Sequence, residues 1–291
     1  MKSYPDCLPC LARNALHLAK LLGSDHDEQL ALVRGGMAYL ASCDDRMAPP
    51  FHLSKLWNLA QSTAKCPKPD PYAPMKEAST SLALELVSHL DELPNYNPDS
   101  FEDRLRLATS GNVLDFGIYT DLSRDTALKI MAEAFQRKID LDAVARLKEK
   151  VQSAKSILYL LDNCGEAVFD RIFMEPYQDK VTYGVRGGFT LNDITRAELA
   201  SSGMGECRVV DNGTNVPGTI LESCGEDFLR AFRDADLIIA KGQGNFETLD
   251  ASDRPVAFLF MAKCPVVCGR LGVEQNTVQI RFASNDNNLA K

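Results

Sequence analysis

Apolar residues recur every three or four positions through the first half of the chain, the spacing that gathers them on one face of a helix. Leu8, Leu11, Ala15, Leu18 and Leu22 form one such stripe. Leu82, Leu86, Val87 and Leu90 form a second, and Leu141, Val144, Ala145 and Leu147 a third. The proline-rich stretch from Cys66 to Pro74 cannot be helix interior and reads as a loop between helices. Leu93-Pro94-Asn95-Tyr96-Asn97-Pro98 is another break. Few segments before residue 150 have the look of strands.

The pattern changes near residue 150. Short apolar runs without polar alternation now alternate with helical stretches. Ser156–Leu161, Lys180–Val185, Arg208–Val210, Asp236–Ala240 and Val256–Phe260 read as five strands. Runs of this kind suit strands buried on both faces, hence a parallel sheet. Helical segments over Glu166–Glu175, Ile194–Ser201 and Gly218–Arg233 are placed to make the crossovers. The expectation is an α/β protein: a helical domain over 1–152, then a Rossmann-like, doubly wound, mainly parallel sheet domain over 153–291. No internal repeat or low-complexity segment interrupts it.

In open α/β sheets, ligands bind beyond the carboxyl ends of the strands. The first strand is followed by Asp162-Asn163-Cys164-Gly165-Glu166. The second is followed by Arg186-Gly187-Gly188 and then Asn192-Asp193, the third by Asp211-Asn212-Gly213, and the fourth by Lys241-Gly242-Gln243-Gly244-Asn245. Such residues also make ordinary turns and helix caps. Their recurrence at four strand ends favours one polar crevice. Asp and Asn oxygens without a nearby His or Cys pair suit a hard or borderline divalent ion such as Mg²⁺ or Mn²⁺. Lys241 is placed to neutralise a phosphate, and Gly242 and Gly244 to let backbone N–H groups approach it.

Other motifs weigh less. Gly242-Gln243-Gly244 begins like a dinucleotide fingerprint, but the third glycine is missing. A covalent aspartyl-phosphatase needs a second carboxylate where Cys164 stands, so water activated by a metal is the better nucleophile. Cys7-Leu8-Pro9-Cys10 is half a zinc site or a redox pair. Cys264 and Cys268 would join it only if folding brought them near. The plainer reading is two buried thiols at a helix start. His17, His26, His52 and His89 show no ligand spacing and read as structural or exposed.

Composition narrows the function classes. Of 291 residues, 45% are hydrophobic and 25% charged, enough for a sizeable core. The formal net charge of −8, without basic clusters, argues against nucleic-acid binding. No apolar run approaches the roughly 20 residues of a membrane span, and the N-terminus lacks a signal-peptide core. A cytoplasmic protein with no membrane partner is expected. Nine cysteines, an odd number, argue for reduced thiols rather than a disulfide framework.

Several ordered motifs resemble one family. Leu161-Asp162-Asn163-Cys164-Gly165-Glu166 with Phe169-Asp170 resembles the DNxGE…FD motif of the damage-control phosphatases, formerly the domain-of-unknown-function 89 proteins. Val185-Arg186-Gly187-Gly188, then Asn192-Asp193-Ile194-Thr195, is similar to their V[KR]GG…NDxT. Ala235 to Glu247 looks like their ADLIIAKGQGNFE, and Gly111-Asn112 with Asp115-Phe116-Gly117 like their GNxxDFG. The Cys-x-x-Cys resembles that of the family's microbial branch. The resemblance implies a helical domain before a Rossmann-like one, and a phosphatase dependent on Mn²⁺, Co²⁺, Ni²⁺ or Mg²⁺. It assigns the metal to Asp162, Asn163 and Asp193, and the phosphate to Lys241. Substrates would be small phosphorylated metabolites, such as sugar phosphates or damaged cofactor intermediates. Cys164 stands where the family usually has Ala or Ser, and Phe189 where Pro is common.

On this reading Glu166 is a base, an orienting residue, or simply an anion in a first helical turn. Asn112, Asp115, Asn192, Lys241 and Gly242 are the candidates for substrate or phosphate contacts. Two other functions fit less well. One is a metabolite- or metal-binding protein without turnover. The other is an S-adenosylmethionine-dependent methyltransferase, disfavoured by the missing glycine-rich loop after the first strand.

Overall fold

In the computed structural model, residues 1–93, 95–111 and 124–283 are described. The helices before the first strand are α1 (Cys7–Leu22), α2 (His26–Leu40), α3 (Pro49–Thr63), α4 (Ala73–Val87), α5 (Phe101–Ser110), α6 (Arg124–Phe135) and α7 (Leu141–Ser153). Their starts are written locally. The Asp25, Ser100 and Asp140 side chains accept first-turn N–H groups of α2, α5 and α7. Prolines occupy the first turns of α3 and α4, where a missing N–H costs nothing. Pro74 is therefore helical, α4 beginning two residues inside the loop expected over Cys66 to Pro74. The α1 stripe buries Leu11, Ala15, Leu18 and Leu22, whereas Leu8 faces out.

After α7 the chain alternates. The strands are β1 (Ile157–Leu160), β2 (Val181–Val185), β3 (Val209–Asp211), β4 (Leu237–Lys241), β5 (Val256–Ala262) and β6 (Thr277–Phe282). They form one sheet in the order β3-β2-β1-β4-β5-β6. The first five are parallel, and β6 runs antiparallel to β5. This is the α/β, doubly wound, mainly parallel architecture that the apolar runs imply. The helices between strands are α8 (Cys164–Met174), α9 (Glu226–Asp234), α10 (Gln243–Leu249) and α11 (Pro265–Leu271).

Alternate residues of β1 enter opposite cores, as the two-residue period of a strand requires. Ile157, Tyr159 and Leu161 pack with Leu105, Leu147 and Phe173 from α5, α7 and α8. Leu158 and Leu160 pack with Phe228, Phe246 and Val267 from α9, α10 and α11. The helical half thus covers one face of the sheet. A third cluster joins α1, α2 and α3, and a fourth places Val168 and Phe169 of α8 against α4, α5 and α6. No helix among the described residues is long and apolar enough to cross a membrane.

Two expected crossover helices differ. The segment expected as a helix over 194–201 holds only a 3-10 turn, Arg196–Glu198. Thr195 and Glu198 cap its N-terminus reciprocally, but beyond Glu198 the chain continues as turns through Gly203, whose φ is 72°. The helix expected from Gly218 starts at Glu226, because Gly213, Pro217, Gly218 and Gly225 break the backbone before it. Strand β6 lay beyond the apolar runs. It pairs along an edge and is only partly buried, so its signal is a weak alternation.

Candidate active site

The β1 strand leaves the sheet at Leu161 and continues as Asp162 and Asn163 before turning into α8. The segment that follows β2 folds back beside it. Asn163 and Asp193 form an antiparallel bridge, the Cys164 N–H donates to Asn192 O at 3.0 Å, and the Ile194 N–H donates to Asp162 O at 2.9 Å. These backbone bonds bring Asp162, Asn163 and Asp193 together although thirty residues separate them in sequence. Leu191, just before Asn192, has a positive φ of 46°. A branched side chain held there is strained by about 1–2 kcal/mol, and such strain gathers at functional sites.

Arg186 lies behind the two carboxylates. Its Nε donates to Asp193 Oδ2 at 2.7 Å, its Nη1 donates to Asn245 Oδ1 at 3.3 Å, and Nη2 stands 3.7 Å from Asp162 Oδ1. Burial pushes the Asp162 carboxyl well above its ordinary pKa, with the Asp193 and Glu166 charges adding to it, while Arg186 and Lys263 oppose the rise. Asp193 is shifted the same way by burial, against Arg186. The Asn163 Nδ2 donates to Asp162 Oδ2 and to Glu166 Oε2, both at 3.2 Å. With its nitrogen between two carboxylates, its Oδ1 is the end left for another partner.

These three residues open onto a cavity of about 610 Å³. Asn192 also lines it, as do Gln243, Gly244 and Glu247 after β4, and Lys263 and Cys264 after β5. The helical half supplies Cys7, Cys10, Arg13 and Asn14 from α1, and Pro49, Pro50 and Leu53 from α3. The volume suits a small metabolite. Lys263 and Arg13 put positive charge on walls whose floor is anionic. Glu247 is buried, and that burial raises its carboxyl to about 7.

Lys241 is not on that wall. Its ammonium is buried and bonds to Glu166 Oε1 at 2.5 Å, Asp170 Oδ1 at 2.5 Å and Ala108 O at 3.0 Å. Burial works against the charge, but Asp170 and Glu166 hold the Lys241 pKa above its ordinary value. Glu166 is fully buried and touches the site through Asn163. Gly242 has its N–H donated to Leu259 O at 3.1 Å. Its φ of 81° and the absence of a side chain serve the neighbouring carboxylate: a Cβ would lie 2.1 Å from Asp162 Oδ2. The amide is therefore not directed at a ligand, contrary to the phosphate-approach reading.

The strand-end expectation is corrected at β3. Asn212 Oδ1 accepts the N–H groups of Gly187 and Thr214, and Asp211 pairs with Arg196. These residues fasten loops to one another and do not line the cavity. Sequence reading placed Gln243 at the fourth strand end without a role, and missed Lys263 and Glu247 as cavity residues. The same rule, applied at the end of β5, would have found Lys263-Cys264.

Of the substrate candidates, Asn192 lines the cavity, and Asn112 and Asp115 lie outside the described residues. The adjoining Gly111 packs against Glu166, which a Cβ at 111 would approach to 3.2 Å.

The Cys-x-x-Cys sits in the first turn of α1, with Cys7 buried but Cys10 exposed, so the pair is only half buried. Folding does bring Cys264 to the same cavity. Among the described residues, however, no three His, Cys, Asp or Glu side chains are grouped to hold a metal ion. Cys164 is fully buried, and its thiol is pushed far up by burial. The Phe189 ring lies 5.0 Å beneath the buried ammonium of Lys76, which pairs with Asp70 and Glu198. His52 is buried and shares a hydrogen bond with the Tyr39 hydroxyl, consistent with a structural histidine.

Residues 3–278 match the model of the damage-control phosphatase ARMT1-like domain. An uncharacterized protein of Methanocaldococcus jannaschii is 33% identical, over 94% of this chain and 93% of its own. A damage-control phosphatase of Pyrococcus horikoshii is 29% identical over 96% of this chain and 97% of its own. One of Archaeoglobus fulgidus is 28% identical over 94% and 96%. The crystal structure of a DUF89 family protein from Pyrococcus horikoshii superposes with a TM-score of 0.87 at 28% identity. It covers 98% of this chain and 100% of that one.

Proposed function

This chain belongs to the damage-control phosphatase family, with an ARMT1-like domain over nearly its whole length, and from that premise we propose that it hydrolyses a small phosphate monoester at a divalent cation held by Asp162, Asn163 and Asp193. One observation carries the cation. Asp162 and Asp193 lie together on the cavity with the Asn163 carboxamide, whose nitrogen is held by Asp162 and Glu166 so that its oxygen is the end left for another partner. Burial raises the carboxyls of both Asp162 and Asp193, and a cation bound between them would offset that cost. The donor set fits: two carboxylates and an amide oxygen are the hard ligands taken by Mg²⁺, Mn²⁺, Co²⁺ or Ni²⁺.

When bound, such an ion supplies Lewis acidity toward a phosphoryl oxygen and lowers the pKa of a bound water. The protein's own part is orientation and charge. Arg186 fixes Asp193, Glu166 fixes the Asn163 amide, and the Leu191–Asp193 turn sets the third ligand. Lys263 and Arg13 on the cavity wall favour a dianionic phosphate through long-range attraction. The α1 and α3 residues close the cavity from the helical half and shape it for the rest of the metabolite.

The reading is tested with p-nitrophenyl phosphate in the presence of Mn²⁺, Co²⁺ or Ni²⁺, and by calorimetric titration of Mn²⁺. Wild type is expected to turn over only with an added ion. Asp162→Ala and Asp193→Ala are expected to lose about a hundredfold or more in rate, as positioned groups at a reacting centre do. Turnover that survives both substitutions, or that is indifferent to EDTA, rejects the site.

A further inference from the structure

The Lys241 ammonium is buried and is not among the groups lining the described cavity. A lysine has three N–H donors. All three have acceptors: Glu166 Oε1, Asp170 Oδ1 and Ala108 O. To meet a phosphate it would have to abandon two carboxylates in a dry interior, which is strongly unfavourable.

Its contacts lead elsewhere. The Tyr159 hydroxyl donates to Asp170 Oδ1 at 2.7 Å, anchoring the carboxylate that holds one side of Lys241. On the other side Lys241 grips Glu166 by Oε1, and Oε2 of the same carboxylate accepts the Asn163 Nδ2. That nitrogen also reaches Asp162 Oδ2. A carboxamide has one nitrogen and one oxygen end, and which end faces the cavity is settled by what holds the nitrogen. The order of contacts is Lys241, Glu166, Asn163.

We propose that Lys241 is a positioning residue for the cation site: through Glu166 it holds the Asn163 carboxamide with its oxygen presented as a ligand. The inference rests on the cation site proposed above.

The sign of one measurement separates this role from direct phosphate binding. Deleting a positive charge near a cation site strengthens cation binding through Coulomb's law. Deleting a group that orients a ligand weakens it, typically 10- to 100-fold when an outer partner of a metal ligand is removed.

The experiment is calorimetric titration of Mn²⁺, and separately of inorganic phosphate onto the Mn²⁺-loaded protein. The proteins are wild type, Lys241→Met, Lys241→Gln, Glu166→Gln and the double variant Lys241→Met with Glu166→Gln. Lys241→Met is expected to bind Mn²⁺ about 10- to 100-fold more weakly. Phosphate affinity of the loaded protein should stay within about threefold. Lys241→Gln still donates to Glu166 and should recover part of the Mn²⁺ affinity. If Lys241→Met does not fold, Lys241→Gln carries the same sign. The double variant should be no weaker than the worse single variant, because the two residues act in series.

Unchanged or tighter Mn²⁺ binding in the lysine variants overturns the proposal. So does a phosphate affinity that falls while Mn²⁺ affinity holds, which would make Lys241 a phosphate ligand. Additive losses in the double variant overturn the route through Glu166. If wild type binds no Mn²⁺, Co²⁺ or Ni²⁺, the cation site itself is rejected, a result distinct from these.

Discussion

Substituting Gly242 by alanine tests whether the backbone after β4 is shaped for a carboxylate or for a ligand. Gly242 has φ 81° and ψ 155°, a region open essentially only to glycine. Alanine there costs about 1–3 kcal/mol in backbone strain alone. The new methyl would sit 2.1 Å from Asp162 Oδ2, 2.3 Å from its Cγ and 2.6 Å from Oδ1. Ordinary contact begins near 3.4 Å, so the carboxylate must retreat by more than 1 Å. That retreat breaks its contact with Asn163 Nδ2, 3.2 Å away, and changes its distance from Arg186 Nη2, now 3.7 Å. A displacement of about 1 Å at a reacting centre costs on the order of a hundredfold in rate. Gly242→Ala is therefore expected to lose about 1–3 kcal/mol in urea unfolding. It should also lose at least about tenfold in Mn²⁺ affinity and about a hundredfold in turnover of p-nitrophenyl phosphate. Gly269→Ala is the control. Its Cβ would meet nothing within 4 Å, and it lies inside α11, so alanine should be neutral or mildly stabilising. A Gly242→Ala protein with wild-type Mn²⁺ affinity and rate refutes the account, however much stability it loses.

Two further outcomes follow from buried charge. Burial raises Glu247 from an ordinary 4.5 to about 7. Between those values the unfolded chain has released the proton and the folded protein still holds it. The contribution is thus complete below about 4.5 and is lost as pH rises through about 7, roughly 3 kcal/mol in all. Glu247→Gln removes this dependence, so its stability relative to wild type should improve by about that amount between pH 4.5 and pH 8 in urea titrations. A constant difference across that range excludes it. Arg186→Met strips the cation from Asp193 and Asp162 and should cost about 3–5 kcal/mol in EDTA, as removing one member of a buried pair does. Added Mn²⁺ should then raise its melting temperature by more than that of wild type, since the ion replaces the missing charge. Equal shifts in both proteins would show that Arg186 and the ion do not share the same carboxylates.

Much of this architecture is legible in the amino-acid sequence. β1, β4 and β5 are continuous apolar runs because both their faces are covered, and that burial is what an unalternating pattern records. Asp162 and Asn163 follow such a run directly, so the strand-end rule reaches them without knowledge of the fold. Asp193 is different. It stands eight residues past β2, and only the backbone bridge to Asn163 makes it a neighbour. Motif resemblance supplied that pairing. Asp211 and Asn212 satisfy the same rule yet tie loops together, because Asn212 accepts two backbone N–H groups and has no capacity left for a ligand there. A strand-end Asn is equally suited to either task, and the sequence does not distinguish them.

Lys241 shows the other limit. A lysine at a strand end followed by glycine reads as a phosphate contact because both facts concern position along the chain. Its direction depends on side-chain alternation across the sheet, and that is fixed by what packs on each face. Ala240 enters the core beneath α9 and α10, so Lys241 enters the opposite side. There α5 presents the Ala108 carbonyl and α8 presents Glu166 and Asp170. The acidic spacing of α8, Glu166 and Asp170 four residues apart, puts both carboxylates on one helix face. A fully buried helix face with two carboxylates needs a buried cation. Lys241 meets that need, and on the function proposed above the positive partners of a phosphate would be Lys263 and Arg13, which line the cavity wall.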